Sequence, residues 1–246
     1  MGRAFEFRKE RKFKRWAKMA KTYSRIGKDI VIAIKAGGPD PETNSRLRAV
    51  MQNAKAANVP KDLISRAIKK ATDKDTSDYK EVTFEGYAPH GVAIFIEAAT
   101  DNNQRTVANV RSYFNKCNGS LGTTGSVAYM FDHQCHFKIP KGDLDIEELE
   151  LELIDFGAEE VFEEEPDEES EDPQETILIY GEFSNFGALQ SALEERKLEI
   201  ISSGFGRIPS VTKNLNSDQV ADVEKLLERI EDDDDVQNVF HTMVEG

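Results

Sequence analysis

His133-Gln134-Cys135-His136-Phe137-Lys138-Ile139 and Thr176-Ile177-Leu178-Ile179-Tyr180-Gly181 are strand-like runs whose place among the surrounding helices decides the fold. The first run leads into a helix from Ile146 to Phe156 and a strand near Glu160 to Phe162. The second is followed by a helix from Phe186 to Arg196 and a strand from Leu198 to Ser203. That β-α-β-β-α-β order predicts the ferredoxin-like split motif. Working outward, Val82 to Tyr87 and Val92 to Ala98 read as a hairpin turning at Pro89-His90-Gly91. A helix from Asn103 to about Cys117 and a strand from Ser126 to Phe131 follow. On the far side come a helix from Asp218 to Ile230 and a short strand from Val236 to Phe240. One α/β unit (132–208) inserted into another (79–131 plus 209–246) accounts for two sheets in tandem.

Residues 1–78 read as helical throughout. Phe13, Trp16, Ala20, Tyr23, Gly27, Ile30 and Ile34 mark one face of a long helix. Gly37, Gly38, Pro39 and Pro41 end it. A second helix starts near Asn44 and buries Leu47, Val50, Met51 and Ala54; Asn58-Val59-Pro60 turns the chain into a third. That helix buries Leu63, Ile64, Ala67, Ile68 and Ala71, and Asp73 to Asp78 reads as a linker. The expected class is α+β and multidomain: a three-helix N-terminal domain followed by two ferredoxin-like α/β domains.

Charge divides the chain unevenly. The 246 residues carry a net −14, yet Met1 to Thr76 holds 20 basic against 8 acidic residues, a net +12. Ser77 to Gly246 holds 12 basic against 38 acidic residues, a net −26. Such asymmetry points to a polyanion-binding arm on a body that nucleic acid repels, or to two parts that attract each other. No apolar run is long enough to span a membrane, and the basic start is not followed by the apolar stretch of a secretion signal. Two cysteines, Cys117 and Cys135, cannot build a disulfide framework, so the expected compartment is the cytoplasm.

The long helix carries the sharpest signal. Arg11, Lys14, Lys18, Lys21, Arg25 and Lys28 recur at 3–4 residue spacing, stacking into a cationic ridge about 25 Å long. With Arg15, Arg46 and Arg48 they form a candidate phosphate-binding surface. Ala54 to Ile68 has a helix-turn-helix cadence, its second helix presenting Lys61, Ser65, Arg66, Lys69 and Lys70. Asp62 is a poor neighbour for phosphate there. Two acidic runs, Glu159 to Glu175 with eleven acids and no base and the knot Asp232 to Asp235, read as solvated surface. Either could instead dock on the basic helices and mask them.

Other constellations carry less. Gly119-Ser120-Leu121-Gly122-Thr123-Thr124-Gly125 lacks the Lys-Ser/Thr ending of a phosphate-binding loop and reads as a turn. His133, Cys135 and His136 fall on two faces of a strand, so no metal is expected. No nucleophile or acid–base pair stands at motif spacing. Neither an enzyme activity, a cofactor nor a small-molecule substrate is expected.

Several blocks in order resemble the YebC/PmpR family. They are Gly37-Gly38-Pro39-Asp40-Pro41, Asn44-Ser45-Arg46-Leu47-Arg48, Ala54 to Asp62, Arg66-Ala67-Ile68-Lys69-Lys70, Glu85-Gly86-Tyr87-Ala88-Pro89-His90-Gly91-Val92, Thr100-Asp101-Asn102, Asn118 to Val127 and Asp234 to His241. The resemblance covers most of the chain and implies a helical domain, a central α/β domain and a third inserted into it. It also implies a cytoplasmic regulator that binds DNA, or a ribosome-associated factor contacting ribosomal RNA. The family includes a mitochondrial translational activator. The chain departs from the usual Gly-His-Ser-Lys-Trp opening with Gly2-Arg3-Ala4-Phe5-Glu6-Phe7, and from the Gly-Pro-Gly-Gly turn with Ala88-Pro89-His90-Gly91.

Overall fold

The structure, a computed structural model, describes residues 3–73, 79–164 and 174–245, with side chains from residue 19 to residue 244. Helix α1 (Arg3–Gly37) packs against α2 (Ser45–Ala56) and α3 (Lys61–Thr72). Ile26, Ile30, Ala33, Ile34, Leu47, Ala54 and Ala71 are buried between them. Asn44 sets the corner. Its Oδ1 accepts the Leu47 N–H to cap α2, while its Nδ2 donates to the carbonyls of Ala33 and Gly38. A side chain at Gly37 would meet that amide at 2.8 Å, so only glycine lets α1 end there. The turn into α3 passes through Asn58 at φ 53°, a left-handed position that asparagine tolerates. Most of the expected linker, residues 74–78, lies outside the described residues.

Strands β1 (Lys80–Tyr87) and β2 (Ala93–Thr100) form the expected hairpin, followed by α4 (Asn103–Lys116) and the two-residue β3 (Ser120–Leu121). Strand β4 (Phe131–Pro140), α5 (Ile146–Ile154), β5 (Ala158–Glu164), β6 (Thr176–Glu182), α6 (Phe186–Glu195) and β7 (Ser202–Pro209) come next. The chain closes with β8 (Lys213–Leu215), α7 (Ser217–Glu231), β9 (Val236–His241) and β10 (Met243–Glu245). A first sheet has the order β3-β1-β2-β9, with α4 and α7 packed through Val110, Phe114, Val223 and Leu226 on Ile94 and Ile96. A second has the order β5-β6-β4-β7, every pair antiparallel, which is the ferredoxin-like arrangement. Leu149, Leu153, Leu189 and Leu193 from α5 and α6 cover one face of it. The class is α+β, helical first and sheet-based afterwards.

Two expected strands are placed differently. Residues 126–130 do not pair. The buried Glu85 carboxylate takes the N–H groups of Gly125, Val127 and Ala128, and residues 128–130 form a 3₁₀ turn before β4. Strand β7 begins at Ser202, not Leu198, because Lys197 adopts φ 60° and Leu198 donates its N–H back to Leu193, ending α6. Leu198 and Ile200 instead serve that cap and the core beneath it.

Helical and sheet regions are joined by Ala49 of α2, buried in the second sheet's core, and by several polar pairs. On β7, Asn53 of α2 donates to the Ser203 carbonyl and accepts the Ser203 N–H. Arg48 pairs with Glu194, and Lys55 with Glu199. Asp29 of α1 sits where α1, α2 and β1 meet. Burial pushes its pKa up to about 6, opposed by Arg46 and reinforced by Glu81. A carboxyl whose folded pKa exceeds its unfolded value adds stability below about pH 4 that is lost as pH rises through about 6. Asp29→Asn is therefore expected to raise the urea midpoint at pH 7.5, by on the order of 1–3 kcal/mol in unfolding free energy, and to leave it little changed at pH 4. An equal offset at both pH values would exclude titration of Asp29 as the cause.

Candidate nucleic-acid interface

The cationic face of α1 is divided. Arg11, Lys14, Arg15 and Lys18 have side chains outside the described residues. The remaining ridge residues meet the protein's own acidic knot. Lys28 is only 8% exposed; its Nζ donates to the carbonyls of Ala99 (3.0 Å) and Asp234 (2.6 Å) and to Asp235 Oδ1 (3.1 Å). Arg25 donates to the carbonyls of Val236 and Glu231, and Lys21 pairs with Asp232.

Asp235 is the hub of this contact. Its Oδ2 accepts from Thr100, Thr106 and Arg105, and Arg105 also holds Asp101. Burial works to raise the Asp235 pKa, but the bonds from Arg105, Lys28 and Thr106 prevail and hold it at about 2.

At Lys21, Arg25 and Lys28 the expected ridge therefore meets acceptors of its own chain. Helical spacing placed them on one face, and that face is turned to carboxylates and carbonyls of this chain. Lys28 is lost to an external ligand. Lys21, 39% exposed opposite a 71% exposed Asp232, forms a surface pair of the kind worth about 0–1 kcal/mol, which a phosphate can replace. Arg46 and Arg48 are likewise engaged. Arg46 grips Glu81, and Arg48 binds Glu194 together with the carbonyls of Pro41 and Glu42.

Helix α3 presents the opposite case. Leu63, Ile64, Ala67, Ile68 and Ala71 pack toward α1, so the 100° step per residue turns Lys61, Asp62, Ser65, Arg66, Lys69 and Lys70 outward, and all six are exposed. Among the described residues no carboxylate lies within ion-pair distance of Lys61, Arg66, Lys69 or Lys70. Lys70 donates to the Tyr79 hydroxyl at 2.8 Å and lies 4.7 Å from the ring centroid. From Lys61 to Lys70 the row is about 14 Å long. Such a face can hold a phosphate backbone, and its first turn can reach base edges in a major groove.

Reading the sequence missed the groove beside this face. Between α1 and α3 lies a largely apolar cavity of about 450 Å³, lined by Tyr23, Gly27, Val31, Leu63 and Tyr79 with Arg66 and Lys70 at its rim. Its lining residues recur at core spacing, so nothing in the periodicity separates cavity wall from filled core.

The weaker constellations have structural roles. Glu85 consumes the N–H groups that a phosphate-binding loop would aim at its ligand; burial would raise its pKa, but those three bonds hold it below the carboxylate range. His133 stacks on Phe183 at 4.0 Å, while His136 lies on the opposite face of β4, so the two cannot share an ion.

Comparison with known proteins covers the whole arrangement. Residues 3–74 match the family model described as TACO1/YebC protein N-terminal domain, and residues 79–243 match TACO1/YebC second and third domain. A probable transcriptional regulatory protein of Flavobacterium johnsoniae is 68% identical over 245 residues, covering 100% of both chains. One of Parabacteroides distasonis is 57% identical, covering 100% of this chain and 98% of its own. The crystal structure of a conserved hypothetical protein from Aquifex aeolicus superimposes with a TM-score of 0.76 at 35% identity, covering 92% of this chain and 90% of that one.

Proposed function

The chain belongs to the TACO1/YebC family, and from that premise we propose that it is a non-enzymatic regulator of gene expression that binds DNA through its helical region. The family's relatives carry the name of transcriptional regulators. The observation that carries the DNA reading is the outward face of α3, where Lys61, Arg66 and Lys69 stand exposed and without carboxylate partners among the described residues. The turn through Asn58 leads from α2 into α3, which packs on α1; in the helix-turn-helix reading of Ala54 to Ile68, α3 would be the helix that enters the groove. Lys21 and the cations at Arg11, Lys14, Arg15 and Lys18 extend the contact along the phosphates. We divide the chain at 1–78, 79–131 plus 209–246, and 132–208, since the second sheet draws its strands only from residues 131–209. We place it in the cytoplasm, where its two free thiols, Cys117 and Cys135, stay reduced.

Ribosomal RNA is the second reading, favoured by the net −26 of residues 77–246, which suits a factor that adheres at one end in a crowded RNA site. Gradient fractionation of lysate, with and without ribonuclease, separates the two. Free protein that retards a promoter fragment over competitor DNA supports the DNA reading. Ribonuclease-sensitive migration with ribosomes, without duplex retardation, replaces it.

A further inference from the structure

Among the described residues, one face of the second sheet is left bare of helices. Cys135, Phe137, Ile139, Val161, Ile177 and Ile179 point into the core under α5 and α6, so His136, Tyr180 and Phe162 share the opposite face. These rings form a row. Phe162 of β5 stacks on Tyr180 of β6 with centroids 5.7 Å apart and planes 10° from parallel. His136 of β4 lies directly across from Tyr180, 6.0 Å away. The row ends over β7, where Gly204 leaves room for the imidazole; a Cβ there would come within 3.0 Å of His136 Cε1. None of the three rings belongs to a core cluster, and Phe162 is 41% exposed.

The charge around the row is negative apart from Lys138, which shares this face with His136 and is taken up by Glu164. Glu160, exposed, is the cross-strand partner of Tyr180, and Glu164 lies two residues beyond Phe162 on the same face, bonded to Lys138 and Thr176. Burial holds the His136 imidazole below its usual pKa, so it is neutral at pH 7 and does not repel a cation. Phe162 itself falls within the run Glu159 to Glu175, which has eleven acids and no base. Nucleic-acid bases would stack on such rings, but their phosphates would face these carboxylates. Aromatic faces edged by acids suit a cation instead, and a planar guanidinium satisfies ring and carboxylate together better than an ammonium.

We propose that this face docks an arginine-rich segment of a partner protein, with a guanidinium lying on Phe162 and Tyr180 and paired to Glu160. The surface belongs to the second sheet and not to α3, so the proposal is independent of which nucleic acid the helical region binds.

The test is fluorescence anisotropy of the full chain with labelled (Arg-Gly)₅ and (Lys-Gly)₅ peptides at one ionic strength. The arginine peptide is expected to bind about fivefold more tightly. Phe162→Ala and Tyr180→Ala should each weaken it about fivefold or more and erase the preference for arginine. Phe162→Leu, which keeps apolar bulk but removes the ring, should do the same and guards against a misfolded alanine variant. Glu160→Gln should weaken both peptides. Unchanged affinity in both Phe162 variants would reduce the attraction to bulk acidity and overturn the proposal. So would binding of a single-stranded RNA decamer that Tyr180→Ala abolishes, or a self-association that Phe162→Leu removes.

Discussion

Asp235→Ala is expected to lower the unfolding free energy by about 3–5 kcal/mol, the usual cost of stripping one partner from a buried ionic network. The variant leaves the Lys28 ammonium to the Ala99 and Asp234 carbonyls and the Tyr79 ring, and removes the acceptor shared by Thr100, Thr106 and Arg105. Lys28→Met should cost less, because Asp235 then keeps Arg105 and both hydroxyls. Urea midpoints of the two variants give the order directly. If Lys28→Met proves the more damaging, the network is organised around the ammonium and not around the carboxylate.

Reversing Lys61, Arg66 and Lys69 together to glutamate should lower duplex affinity by about a hundredfold or more near 0.1 M salt. It should also reduce the slope of log K against log salt by about 2–3, since three phosphate contacts are lost at about 0.9 counterion each. These side chains are exposed, so the melting temperature should hold. A retained affinity with an unchanged slope would remove α3 from the contact surface. Arg25→Glu is the informative contrast. Its guanidinium is spent on the carbonyls of Val236 and Glu231, so that change should act on stability before it acts on binding.

Most of the helical and sheet elements could be read from periodicity, because apolar spacing reports which face of a segment is buried. The errors have a common origin. At 126–130 the strand pattern was present, but a side chain from β1, Glu85, took the backbone donors that pairing requires. At 202–209 the pattern was weak, since Ser202, Ser203, Gly204 and Gly206 have little strand preference and the pairing partner β4 supplies the order. The ridge on α1 shows the same limit at the level of function. Spacing fixed the face on which Lys21, Arg25 and Lys28 lie, but the anion opposite comes from a knot more than 200 residues later. For α3 both faces follow from the sequence, because its apolar stripe is local to the helix and, among the described residues, no distant carboxylate claims its cations.

That separation in the chain has a temporal side. Lys28 and Asp235 are 207 residues apart. At about 5–20 residues per second, roughly 10–40 s elapse during synthesis between the appearance of the ammonium and that of its carboxylate. Through that interval Lys21, Arg25 and Lys28 are without the partners that later cover them, while the chain is still attached to a particle built largely of RNA.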